Sequence, residues 1–342
     1  MSVVIKGPLT NIECIEMIKF LENSPVMLRK FFEKPVFDLL NEYKINVREQ
    51  LNKCFGNIRK RSVDNSNYYH SDRPIDIFAI LNTQMEVCKL LPPKYIGDIG
   101  ITCLQSLREM QQEDDTFISM TQNIDIDLLL LTIGDNQLMS QYCEEFCNSF
   151  IAHIDSAVDK EMYRNIGNHL CDMYILLNQK IIIYIAKNIV KDFEGQYVKD
   201  WIHKNNLVEV FIATIEDYLN NIISRIDKYY FPKLLETIMG ELIDQYIINL
   251  LLLKKFNKNI SENVSFDLSS LVSYFKSKIE STLYYSKLKI FDNFVLISRL
   301  ISGGNLTEDE FTTLKNKYNI PKKLLKGKRR FFESLFEYDE YL

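Results

Sequence analysis

Apolar residues recur at spacings of three and four through most of the chain, and this is the period of an α-helix. One apolar stripe follows Pro74 and another follows Pro232. The first stripe comprises Ile77, Ile80, Leu81, Val87, Cys88 and Leu91. The second comprises Leu234, Leu235, Ile238, Leu242, Ile243, Tyr246, Ile247 and Leu250. The pattern predicts long amphipathic helices, each with one face in a core.

Turn and cap signals mark several helix ends. Thr10 and Thr307 stand where a helix N-cap is expected. Thr307 is followed three residues later by Glu310, which is the pattern of a capping box. Pro74 suits the first turn of a helix, where its missing N–H costs nothing. These residues predict helices that begin at about residues 11, 74 and 308.

Other predicted boundaries rest on weaker signals. The stripe that begins at Leu207 is predicted to continue as one helix through Tyr230, with Val210, Phe211, Ile215 and Tyr218 among its members. The polar residues 257–265 predict a loop, followed by a helix from about Leu268 to Ile301. Another helix is predicted to begin near Asn136.

The elements together predict an all-α fold of ten or so antiparallel helices, arranged as an elongated tandem of bundles. Glycine and proline number only 11 and 8 among 342 residues, whereas an all-β fold needs many turns that contain them. The chain is longer than one typical core. Charged residues interrupt the apolar pattern around Gly195 and Trp201. We therefore expect a first bundle over residues 1–195 and a second over residues 196–342.

Charge, cysteine usage and hydropathy narrow the class of protein. A net charge of −5, mixed along the chain, gives no basic footprint for nucleic acid. The seven cysteines lie in apolar helical stretches and predict reduced thiols packed in the core of a cytosolic protein. The most apolar tract, Ile175–Val190, is interrupted by asparagine and lysine and falls short of the roughly 20 residues that span a bilayer. These features predict a soluble protein.

Motifs for enzymatic chemistry are absent from the sequence. It contains no glycine-rich phosphate loop, no nucleophile elbow and no His-Glu-x-x-His pair. None of the four histidines lies beside an obvious nucleophile. The sequence therefore predicts a non-enzymatic protein with no cofactor and no catalytic residue.

One group of residues has the composition of a zinc site. Cys143 and Cys147 are one helical turn apart, and His169 and Cys171 follow on the next predicted helix. Thiolate and imidazole ligands suit zinc, but structural sites usually place their cysteines in loops. The aromatic residues beside Cys143 and Cys147 favour a core position for these thiols over a metal site.

A second group offers an alternative function, that of an all-helical magnesium-dependent isoprenoid (terpene) synthase. Such enzymes bind a diphosphate through magnesium held by two carboxylate motifs across a cavity. The residues that resemble these motifs are Asp114, Asp115, Asn136, Ser140 and Glu144. Ile118 and Gln137 stand where the motifs require carboxylates. Coincidence in a chain rich in aspartate and asparagine is the favoured interpretation.

The densest charge in the chain is a basic run near its end. Its members are Lys322, Lys323, Lys326, Lys328, Arg329 and Arg330. Each positive charge near an anionic membrane surface contributes about 1 kcal/mol, so the run is a candidate contact with an anionic membrane. Four acidic residues follow it and offset part of the field. The alternative is a terminal helix whose charges are simply solvated.

Several tracts are more specific than helicity alone. Pro74–Phe78 and Leu81–Gln84 resemble the start of a helix in the Sec6 subunit of the exocyst, the vesicle-tethering complex at sites of secretion. Asp135–Asn136 and Tyr142–Glu144 are similar to its Asn-Asp helix and to the aromatic-Cys-acid step that follows. Ile212–Tyr218 resembles its Thr-x-Glu-Asp-Tyr helix. Order and spacing agree from about residue 70 to 320.

This resemblance implies a function as well as a fold. It implies helical bundles like those of multisubunit tethering complexes, with no catalytic residues. It implies partners among the other exocyst subunits and the membrane-fusion (SNARE) regulators, and a cytoplasmic, peripheral location at plasma-membrane secretion sites. The family's amino-terminal coiled-coil half has no counterpart here, so the chain is either a carboxy-terminal fragment or a short protein. The sequence leaves the oligomeric state open.

Overall fold

The computed structural model describes most of the chain in ten segments. They are residues 10–24, 26–58, 70–121, 124–154, 156–191, 193, 207–252, 258–280, 290–301 and 306–318. Within these segments lie eleven α-helices, one short 3-10 helix at Pro93–Tyr95 and no β-strand, which confirms the all-α prediction. The α-helices are α1 Asn11–Glu22, α2 Val26–Ile58, α3 Arg73–Cys88, α4 Ile96–Met120, α5 Ile126–Ile151, α6 Ala157–Lys191, α7 Leu207–Ile222, α8 Phe231–Leu252, α9 Lys258–Glu280, α10 Ile290–Ile301 and α11 Glu308–Lys317.

The predicted helix starts at Thr10, Pro74 and Thr307 are confirmed. The Thr10 hydroxyl accepts a hydrogen bond from the Glu13 N–H, and the Glu13 carboxylate accepts one from the Thr10 N–H at 2.8 Å. Thr307 and Glu310 form the same reciprocal box at the start of α11. Pro74 lies in the first turn of α3. Local cap chemistry therefore fixes these ends, since each box is complete within four residues.

The prediction of one helix through Tyr230 was wrong. Helix α7 ends at Ile222, and α8 begins at Phe231 with Pro232 in its first turn. The intervening residues form turns in which the Asp227 carboxylate accepts a hydrogen bond from the Tyr229 N–H at 2.7 Å. Pro232 suits the first turn of α8, where its missing N–H costs nothing.

Two other predicted boundaries were also wrong. Helix α5 begins at Ile126, well before Asn136, because the Asp125 side chain caps it by accepting from the Asp127 N–H at 3.0 Å. Residues 258–265, predicted as part of a loop, lie in α9. Helix α9 buries Val264, Leu271 and Phe275 along one face, and the buried Asp267 lies on that same face. The part of the predicted helix between α9 and α10 lies outside the described residues.

The helices group into two compact units, Met1–Ile181 and Ile182–Leu342. The boundary predicted near residue 195 falls in 194–206, outside the part of the chain that the structure describes, and stays a prediction.

The first unit has one continuous core. Helix α1 packs on α2, α2 on α4, and α3 on α5. Aromatic rings fill the space between α5 and α6, where Phe150 lies 5.6 Å from Phe146 and 5.5 Å from Tyr163 between ring centroids. Gly100 lets α4 approach these rings, since a Cβ atom there would lie 2.8 Å from Cε2 of Phe150. The absence of a side chain on α4 thus sets how closely the helix packs.

The second unit is built around α8. The buried side chains of α8 include Leu234, Ile238, Leu242 and Tyr246. Helix α10 packs on α8, and α9 packs on both α7 and α10. The predicted stripe of α7 is confirmed at Phe211 and Ile215 but is narrower than expected: Val210 is exposed and Tyr218 is only half-buried.

Helix α6 is long and apolar enough, by length and composition alone, to cross a membrane. Half of its most apolar stretch is buried inside the protein. At its centre, Asn178 is completely buried and donates to the Ile133 carbonyl at 3.1 Å. The buried asparagine and its hydrogen bond show that this part of α6 is packed against α5.

Candidate interaction surfaces

The residues that resemble a magnesium site do not meet around one cavity. Asp114 accepts a hydrogen bond from Arg73 Nη2 at 2.6 Å, and Asp115 accepts two from Lys180 Nζ at 2.8 Å. The Asn136 amide is buried and donates to Asn178 Oδ1 at 2.9 Å. Glu144, by contrast, is exposed to solvent. The geometry therefore gives no support to magnesium-dependent chemistry at these residues.

The candidate zinc ligands are divided between the core and the surface. The buried Cys143 thiol forms hydrogen bonds with the thiols of Cys147 and Cys171, and these bonds together with burial raise the pKa of Cys143. The Cys171 thiol donates to the Ser140 carbonyl at 3.2 Å. His169 is exposed and lines a surface groove. Among the described residues no group of three His, Cys, Asp or Glu side chains is placed to hold a metal ion.

Two of the tracts that resemble Sec6 pack against each other. Helix α3 carries Phe78, whose ring centroid lies 5.5 Å from that of Tyr142 and 6.2 Å from that of Phe146, both on α5. Both contacts are edge-to-face, a favourable geometry for aromatic pairs. These tracts therefore contribute to the packing of the first unit.

The third tract forms a polar contact between two helices. Glu216 on α7 accepts hydrogen bonds from Lys278 Nζ and from the Tyr274 hydroxyl of α9, each at 2.6 Å. The hydrogen bond from Lys278, followed by that from Tyr274, lowers the pKa of Glu216. Asp217 is exposed, so the two neighbouring carboxylates have different environments. The Glu216 carboxylate therefore contacts a neighbouring helix.

A surface groove runs between α4 and α6 in the first unit, with a volume of 880 Å³. Its apolar lining side chains include several that are well exposed: Val158 is 79% accessible, Met162 43% and Ile166 36%. Leu104 and Leu170 lie buried at its floor, and Gln105, Arg108 and His169 are exposed along its sides. The sequence search missed this groove, because apolar residues lie around most of the circumference of α6 and the period does not reveal which are covered.

The basic run Lys322, Lys323, Lys326, Lys328, Arg329 and Arg330 lies outside the described residues. The membrane contact predicted for these six residues stays a prediction.

Comparison with known proteins identifies the family. The family model for "Exocyst complex component Sec6" matches residues 28–326. The solved C-terminal domain of the exocyst subunit Sec6p superposes with a TM-score of 0.65 at 15% sequence identity, over 82% of this chain and 81% of that one. The structure of M-Sec gives a TM-score of 0.48 at 14% identity, over 91% of this chain and 64% of that one. No curated protein matches the sequence. On the family match, the chain belongs to the Sec6 family of exocyst subunits.

Proposed function

We propose that this chain is a non-catalytic scaffold of the exocyst, which tethers secretory vesicles to the plasma membrane before fusion through protein–protein contacts. The observation that carries the proposal is the family match over residues 28–326. The fold shared with the C-terminal domain of Sec6p supports it, since that protein is itself an exocyst subunit.

The proposed mechanism is positional. Packed helices hold exposed side chains in fixed relative positions, and a few of those side chains supply most of the binding energy to a partner. The partners that this function implies are other exocyst subunits and membrane-fusion (SNARE) regulators. The corresponding location is cytoplasmic and peripheral, at secretion sites of the plasma membrane.

Affinity purification from the native cell tests the tethering function. The full chain carries an epitope tag, and its partners are identified by mass spectrometry after mild cross-linking. We expect the other exocyst subunits to be recovered in constant ratios, whereas a tagged helical protein of similar size recovers none. Recovery of the chain without any exocyst subunit would refute the proposed function.

The membrane contact has its own test, because it depends only on the basic run. The variant replaces Lys322, Lys323, Lys326, Lys328, Arg329 and Arg330 with glutamine. We expect it to sediment with phosphatidylserine vesicles much less than the wild type, since about 1 kcal/mol is lost per charge. A matched variant neutralises Glu333, Glu337, Asp339 and Glu340 and is expected to bind more strongly. Equal sedimentation of all three proteins would contradict a membrane contact.

A further inference from the structure

The groove between α4 and α6 exposes apolar side chains at the spacing of a coiled-coil seam. On α6, Met162, Ile166, His169, Met173 and Leu176 follow one another at intervals of four, three, four and three residues. This alternation keeps the side chains in line along about 21 Å of helix. Met162 and Ile166 are exposed as described above, and Leu176, just beyond the residues that line the groove, is 54% accessible. This row is apolar except at His169, and another helix with the same repeat matches it.

The groove is fixed in shape at both ends. At one end Gly97 lies against the Tyr163 side chain, which leaves no room for a Cβ atom. At the other end the Gln111 amide donates to the Met173 carbonyl at 3.3 Å, and Lys180 bridges to Asp115 at 2.8 Å. Helices α4 and α6 are therefore held together on both sides of the groove. A preformed site of this kind spares a partner the cost of ordering it.

One rim of the groove carries an available positive charge. Arg108 on α4 is exposed, lines the groove and forms no ion pair with any residue that the structure describes. Glu161, on the α6 side, already lies 3.8 Å from Arg164. A partner with a carboxylate beside its apolar row would place that charge against Arg108, and matched rim charges fix the register of a complex.

We propose that the groove between α4 and α6 binds one amphipathic helix of a partner protein, with an apolar heptad repeat in the groove and a carboxylate opposite Arg108. The inference rests on the proposed function to the extent that the chain acts through protein contacts. It deepens that function by assigning one surface and the chemistry of its partner.

Three synthetic peptides of three heptads each serve as probes. All carry leucine at the two core positions of the heptad and glutamine on one flank. The other flank carries glutamate in the first peptide and glutamine in the second. The third has the composition of the first in scrambled order. Binding to the purified full chain is measured by fluorescence anisotropy, at concentrations where sedimentation shows monomeric peptides.

We expect the glutamate peptide to bind the wild type about two- to fivefold more tightly than the glutamine peptide, as for an exposed ion pair. Arg108→Gln should abolish this difference and leave the glutamine peptide unaffected. The double variant Met162→Glu/Ile166→Glu should weaken both peptides by about tenfold or more, because it places charges in the apolar row. Met120→Glu, at an apolar residue that is exposed elsewhere on α4, is the matched control and should change neither.

Three outcomes would overturn the inference. The first is equal binding of the scrambled peptide. The second is a sedimentation shift that shows the groove occupied by a second copy of the chain and lost in Met162→Glu/Ile166→Glu. The third is binding of neutral phosphatidylcholine vesicles that the same double variant abolishes, which would assign the groove to lipid.

The proposed function and the groove fail in different ways. If the wild type recovers no exocyst subunit from cells but the peptides bind as expected, the proposed function is wrong and the helix-binding role of the groove is supported. If exocyst subunits are recovered and the peptides do not discriminate among the variants, the groove is wrong and the function stands.

Discussion

The two units satisfy their inward-facing polar groups in different ways. The first unit pairs short side chains: Asn136 donates to Asn178 at 2.9 Å, and Asn178 donates to the Ile133 carbonyl at 3.1 Å. The second unit repeatedly joins tyrosine hydroxyls to carboxylates of other helices, an arrangement that the first unit also uses at Tyr95 and Glu22. The three pairs are Tyr246–Asp267 at 2.5 Å, Tyr274–Glu216 at 2.6 Å and Tyr318–Asp244 at 2.5 Å.

The two arrangements constrain the distance between neighbouring helices to different degrees. An asparagine pair requires two backbones to be close, and in the first unit Gly100 also lets the neighbouring α4 approach the core rings. A tyrosine reaches farther, so its hydroxyl bonds across a wider gap. At Gly240 of α8, no atom of the described residues lies within 4 Å of the position of a Cβ. The first unit should therefore be the less tolerant of small changes in its core.

The largest expected effect is at the asparagine pair. Asn178→Ala removes the partner of the Asn136 amide and of the Ile133 carbonyl, both buried, and leaves a small cavity. We expect the free energy of unfolding to fall by about 3 kcal/mol. Chemical denaturation with urea measures it. Gln179→Ala, on the exposed neighbour, should change stability by less than about 0.5 kcal/mol; equal effects of the two variants would contradict the assigned role.

The two glycines give a direct comparison between the units. Gly100→Ala forces the Phe150 ring to move, and we expect a loss of about 1–2 kcal/mol even after the gain in helix propensity. Gly240→Ala has open space and should gain about 0.5–1 kcal/mol. Thermal unfolding of both variants tests the signs. A stabilising Gly100→Ala would show that the first unit is no more tightly packed than the second.

The tyrosine–carboxylate pairs should contribute moderately. Tyr246→Phe removes one hydrogen bond to Asp267 and keeps the ring that packs on Phe294 at 4.7 Å between centroids. We expect a loss of about 1 kcal/mol, as for a typical buried hydrogen bond. Tyr229→Phe, at an exposed tyrosine, is the matched control in the same denaturation experiment. If the two losses are equal, the hydroxyl of Tyr246 has no structural role.

Sequence reasoning succeeded where the information is local. The box at Thr10 is complete within four residues, and the apolar period identifies α8 without knowledge of its neighbours. The cap at Asp125 was missed because several nearby carboxylates are equal candidates in the sequence. The turn before Pro232 was missed because the apolar spacing continues through it.

Pairings between distant residues could not be predicted. Asn136 suggested a metal ligand, whereas its partner is an amide 42 positions away on another helix. The groove was missed for a related reason: Met162 and Tyr163 are neighbours on one apolar helix, yet the first is exposed and the second is buried. Which side of α6 other helices cover is decided by tertiary packing, to which a single sequence gives no direct access. The three Sec6-like tracts take part in core and interhelical contacts of the fold.

The smallest expected effects are opposite pH dependences of one carboxylate in each unit. Burial raises the pKa of Asp135, although hydrogen bonds from the Ser71 side chain and backbone oppose the shift. Its contribution to stability is therefore present below the unfolded-state pKa and is lost as the pH rises through the folded-state pKa. The hydrogen bonds from Lys278 and Tyr274 lower the pKa of Glu216. Its contribution is present above the unfolded-state pKa and is lost as the pH falls through the folded-state pKa.

Urea denaturation between pH 3 and pH 7, roughly spanning the carboxylate range, tests both signs against matched neutral variants. The stability of the wild type minus that of Asp135→Asn should fall as the pH rises, because only the wild type must bury a charge. The stability of the wild type minus that of Glu216→Gln should rise over the same pH interval, since only the wild type gains carboxylate contacts with Lys278 and Tyr274. The second change should be small, because Glu216 is largely screened by solvent. Two differences of the same sign would show that Asp135 and Glu216 have similar environments. That result would contradict the opposite pKa shifts of the two carboxylates.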